Sequence, residues 1–80
     1  FIPRFASVLD LPPRIEHRAR DLVDDLQEAG HLDGRHPAGI AAGCLYAAAA
    51  DHDVDLTQAE AAGVADVTPV TLRAIYQALD

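Results

Sequence analysis

Eighty residues leave room for a single domain, since domains commonly run to about 100–150 residues. Half of the residues are apolar, which excludes a solvated tail, and no apolar run approaches the roughly 20 residues that span a bilayer. Six basic residues against thirteen acidic ones give a net charge of -7, the opposite of the basic footprint that most nucleic-acid binders carry.

The details of that charge are informative. All the basic residues are Arg, Lys is absent, and ten of the thirteen acidic residues are Asp. Short acidic side chains hold water and cations in multimolar salt, where self-repulsion is screened within a few ångströms. The composition therefore reads as that of a halophile's cytoplasmic protein; an acidic domain from a GC-rich genome is the plainer alternative. The single Cys44 excludes an internal disulfide framework and a multi-cysteine zinc site. Nothing resembles a signal peptide, and a chain opening at Phe1 rather than Met is expected to be part of a longer one.

In chain order the sequence predicts helices only. The first is short, about 3–9, with Phe5, Val8 and Leu9 facing inward. The second runs from about Pro13 to Ala29, where Ile15, Ala19, Leu22, Val23, Leu26 and Ala29 form one apolar stripe. Glu16, Arg20 and Asp24 follow one another at four-residue spacing on its wet side. Gly30 suits the helix stop and Gly34 a tight turn. The third helix starts at His36-Pro37 and runs to Asp51, small or apolar on every face, so it should be the buried central post. An acidic loop, Asp51-His52-Asp53-Val54-Asp55, leads to two short helices at about 57–64 and 69–79.

These last two helices carry the most specific pattern. Thr57-x-x-Glu60 is a capping box that starts the fourth helix, and Thr68-Pro69 is an N-cap followed by Pro that starts the fifth. Between them Asp66 stands where a helix-turn-helix needs left-handed backbone, and Ala62 where two helices nearly touch. At about 100° per residue, Leu72, Ile75, Tyr76 and Leu79 share one side of the fifth helix. Val70 lies nearly opposite, with Arg73, Ala74 and Gln77 on or beside its face. In a major groove Arg pairs bidentately with guanine, and a small apolar group meets a thymine methyl. A helical hairpin used only for packing would show the same turn, with Val70 an ordinary surface apolar residue.

The chain resembles the second cyclin-like repeat of the transcription initiation factor IIB family, in its archaeal form, transcription factor B. Phe1-Ile2-Pro3-Arg4-Phe5 with Ser7, Leu9 and Leu11 resembles the repeat's opening. Gly34-Arg35-His36-Pro37 followed by Ala41-Ala42 and Leu45-Tyr46-Ala47 resembles its middle. Thr57-Gln58-x-Glu60 and the run from Ala65 to Arg73, with Tyr76, resemble its helix-turn-helix. The likeness covers essentially the whole chain. It implies an all-α, five-helix cyclin fold over 1–80, with the helix-turn-helix at about 57–79 reading the factor-B recognition element beside the TATA box.

The same likeness implies promoter DNA and the TATA-binding protein as partners, with RNA polymerase engaged by other parts of a full-length chain. It puts Val70 and Arg73 on bases, and Gln77 shares their face. Thr57 and Gln58 suit a phosphate through free N–H groups at a helix start, Arg35 suits a second, and Thr68 and Thr71 are further candidates for the DNA backbone. Departures weaken parts of this. His36 replaces a capping Ser, Ala6 replaces a Cys, the loop before Thr57 is acidic where relatives are often basic, and Gln77 stands where a basic residue is frequent.

No active site, metal or cofactor is expected. His17, His31, His36 and His52 lack metal-ligand spacing, and the Asp51–Asp55 loop lacks the Gly and closing Glu of a calcium loop. Cys44 reads as a small hydrophobe, and Tyr46 and Tyr76 as core residues whose hydroxyls reach the surface. Two further readings stand beside promoter binding: a cyclin-type protein-interaction module that no longer reads DNA, and an unrelated helix-turn-helix repressor. The last would dimerise, but no dimer seam is evident and a monomer is expected.

Overall fold

The computed structural model describes residues 1–30 and 36–79. Its five helices are α1 (Ile2–Val8), α2 (Pro13–Glu28), α3 (Pro37–Asp51), α4 (Gln58–Ala65) and α5 (Pro69–Gln77). No strand occurs among the described residues. Proline sits in the first turn of α1, α2, α3 and α5, where its missing N–H costs nothing and its fixed φ favours the helix. Gly30, at φ +75°, supplies the left-handed residue just past α2. Gly34, Arg35 and His31 lie outside the described residues.

Helix α3 is the post around which the others stand: α1, α2, α4 and α5 all pack against it. Every residue from Ala38 to Leu45 is buried. Its small side chains let neighbours come close. A Cβ added at Gly43 would lie 2.6 Å from Ile75 Cγ2 and 3.2 Å from Ile75 Cβ, so α5 is seated on bare α3 backbone. Ile15, Leu45 and Leu72, all fully buried, bring α2, α3 and α5 into one core.

The α2 stripe is only partly as the sequence predicts. Ile15, Ala19, Leu22 and Leu26 are buried and Val23 half-buried, but Ala29 is exposed at the C-cap. Arg20 pairs with Glu16 at 3.0 Å rather than with Asp24. In α1 the inward face differs from the expected one. Phe5 and Ala6 are buried and Leu9 half-buried, while Val8 is 68% exposed. Ile2, Phe5, Ala6 and Leu9 span one arc of a helix, and Val8 falls outside it. The sequence pattern overvalued the bulk of Val8 and undervalued the small Ala6. His36 is the N-cap of α3 but makes no side-chain capping bond, in keeping with its replacing a Ser.

Candidate nucleic-acid interface

Helices α4 and α5 are joined by a three-residue turn, and both starts are chemically fixed. At α4 the Glu60 N–H donates to Thr57 Oγ1, and the Thr57 N–H donates to Glu60 Oε1, each at 3.0 Å. Both halves of the capping box are therefore made. At α5 the Thr71 N–H donates to Thr68 Oγ1 at 3.2 Å, and the Thr68 hydroxyl donates to Thr71 Oγ1 at 3.1 Å. The turn itself depends on Asp66, which takes φ 57° and ψ 43°. Aspartate tolerates this left-handed region better than most residues, and Asp10 and Asp53 use it as well. Ala62 is buried, and the Val67 N–H donates to its carbonyl.

The two faces of α5 divide cleanly. Leu72 and Ile75 are buried and Tyr76 and Leu79 half-buried. Val70 is 66% exposed, and Arg73, Ala74 and Gln77 are exposed with it. No acidic residue occurs in α5. The Arg73 guanidinium donates from Nη1 to Gln58 Oε1 at 3.3 Å, and Gln58 Nε2 donates to the Tyr76 hydroxyl at 3.2 Å. Tyr76 stacks at a tilt on Tyr46 of α3, ring centroids 5.0 Å apart. The Tyr76 hydroxyl thus has a partner within the fold rather than simply reaching the surface. This chain of contacts was not foreseen; the signal available was an amide and a phenol at facing positions of two helices.

The candidate phosphate contacts fare unevenly. The Thr57 N–H is taken by Glu60, so it is not the free donor the sequence suggested. The N–H groups of Gln58 and Ala59, in the first turn of α4, have no intrahelical partner by geometry. Thr68 and Thr71 are exposed but bonded to each other. Arg35 lies outside the described residues. The Glu60 carboxyl is held below its ordinary range by the bonds from Thr57, so it stays charged beside the α4 start.

His17, His36 and His52 are exposed, and no metal-ligating cluster occurs among the described residues. Cys44 is fully buried, and desolvation pushes its thiol up to about 12, so it carries no thiolate at neutral pH. No helix of the described residues is long and apolar enough to cross a membrane.

Four helices around an apolar fifth, closing on a doubly capped two-helix hairpin, define an all-α cyclin-like repeat. The family model described as transcription factor TFIIB repeat matches residues 1–80, and the chain belongs to that family. It is 58% identical over 79 residues to transcription initiation factor IIB 1 of Halobacterium salinarum, covering 99% of this chain and 28% of the relative. It is 49% identical over 73 residues to transcription initiation factor IIB 5 of the same organism, covering 91% of this chain and 24% of the relative. Transcription initiation factor IIB of Haloarcula vallismortis is 43% identical over 77 residues, covering 96% of this chain and 68% of the relative. The chain thus spans about a quarter of the length of the two Halobacterium relatives. The family is one of general transcription initiation factors, not of enzymes, and these relatives are haloarchaeal, as the charge composition suggested.

Proposed function

We propose that this chain is the promoter-reading second repeat of a haloarchaeal general initiation factor, acting in the cytoplasm on nucleoid DNA. Its α4–α5 hairpin, within about 57–79, binds the major groove at the factor-B recognition element beside the TATA box. It works with the TATA-binding protein to recruit RNA polymerase through other parts of the full-length factor. The observation that carries this reading is the pairing of an exposed aliphatic side chain, Val70, with an exposed guanidinium, Arg73, on one face of a helix. The opposite face of that helix is anchored in the core by Leu72 and Ile75.

In this reading Arg73 pairs with a guanine edge, Val70 meets a thymine methyl, and Gln77 lies one turn beyond. The Gln58 N–H receives a phosphate, with Thr68, Thr71 and Arg35 further along the backbone. Arg73→Ala should cost about 1–3 kcal/mol on the preferred site and relax selectivity at one base pair. Footprinting of the full-length factor with the TATA-binding protein in multimolar salt tests this. Unchanged selectivity would favour the other reading, a cyclin-type interaction module. The observation on that side is the exposed acidic run Asp51, Asp53 and Asp55 ahead of α4, which repels duplex.

A further inference from the structure

Arg73 is not left to find its own orientation. Its side chain bonds to Gln58 on the neighbouring helix, and Gln58 bonds in turn to Tyr76. Chemistry fixes which way the Gln58 amide faces. A guanidinium has only donors, so the amide must turn its oxygen to Arg73, and its NH2 then faces Tyr76, whose phenol oxygen accepts. A flipped amide would set donor against donor. The Tyr76 ring is held by Tyr46 of the buried post, 5.0 Å away. The contacts therefore run from the rigid centre of the fold to the tip of the exposed arginine.

We propose that Gln58 is a positioning residue for base recognition: through Tyr76 it presets the Arg73 guanidinium on the reading face of α5 and so sharpens the choice of base. This rests on the promoter-reading role proposed above. Only one of the five N–H groups of the guanidinium is used by Gln58, so the rest of the fork stays available for a bidentate pair with guanine. A flexible arginine must be ordered on binding, which weakens discrimination; one already oriented loses less. The Gln58 side chain thus acts through Arg73, while its backbone N–H remains free for phosphate.

The test uses the full-length factor with the TATA-binding protein on promoter DNA carrying all four base pairs at each upstream position, in high-salt buffer. The variants are Arg73→Ala, Gln58→Leu, Gln58→Glu and Tyr76→Phe. Arg73→Ala identifies the base pair at which preference is lost. Gln58→Leu should reduce preference at that same base pair by about two- to tenfold, the range set by one hydrogen bond, with other positions unchanged. Gln58→Glu keeps an acceptor for Arg73 and should restore most of the preference. Tyr76→Phe removes only the hydroxyl and should fall between. Adding Gln58→Leu to Arg73→Ala should produce no further loss of preference, because the residue acts through the arginine. If Gln58→Leu weakens every sequence equally, with preference intact, the positioning role is overturned and promoter reading stands. If Arg73→Ala leaves preference intact, promoter reading by this face fails, and the positioning role with it.

Discussion

The Glu60 carboxylate pulls two ways at the start of α4. It accepts the Thr57 N–H, which closes the capping box and holds its own pKa below the ordinary value of 4.5. Because the folded value is depressed, the stability Glu60 contributes is complete above about 4.5 and is lost as pH falls through the lower, folded value. Acid titration of the melting temperature should show that loss in the native protein and not in Glu60→Gln. At neutral pH the same charge stands where a phosphate would approach. Glutamine preserves the capping box without the charge. Glu60→Gln should therefore raise duplex affinity in low salt by about two- to fivefold, a gain that disappears in multimolar KCl. Fluorescence anisotropy with a labelled promoter fragment reads both limits.

Among the elements, α5 depends on a space rather than on a bond. Gly43→Ala would place a methyl 2.6 Å from Ile75 Cγ2, and Ile75 is itself buried, so the helix must move away from the post. Overpacking of this kind costs about 1–3 kcal/mol. Thermal unfolding should report it as a drop of roughly 4–8 °C per kcal/mol in a domain of this size. Gly63→Ala makes the same chemical change on α4, where a Cβ meets nothing within 4 Å. It should stabilise the protein, since alanine is about 1 kcal/mol better than glycine inside a helix. The order of the helices, both hairpin caps and the left-handed Asp66 were legible in the sequence because local rules govern them. The inward face of α1 was not: seven residues give too few apolar positions to fix an arc, and tertiary contact chose Ala6 over Val8. The link from Arg73 to Gln58 was equally hidden, since it requires the packing of two helices to be known.

At the scale of the whole molecule, the proposed promoter-reading role would require a chain of net charge -7 to hold a polyanion. Among the described residues three arginines are engaged away from α5: Arg20 pairs with Glu16, Arg18 lies 3.7 Å from Asp51, and Arg4 lies over Phe1 and Phe5. Arg73, bonded to a neutral amide, is the one on the reading face. In that proposed role counterion release would contribute little, and base contacts, groove shape and cations taken up between two negative surfaces would have to carry the binding. Promoter affinity should change little, or rise, as KCl increases to multimolar levels. A steep decline, such as the roughly 10³- to 10⁵-fold loss of a protein that neutralises several phosphates, would overturn this. The bare backbone under α5 has a consequence for how this repeat could diverge. With Ile75 set against Gly43 there is little room for the helix to tilt toward the post. If the proposed reading face holds, a change of preferred sequence would instead come from exchanging the side chains at 70, 73 and 77.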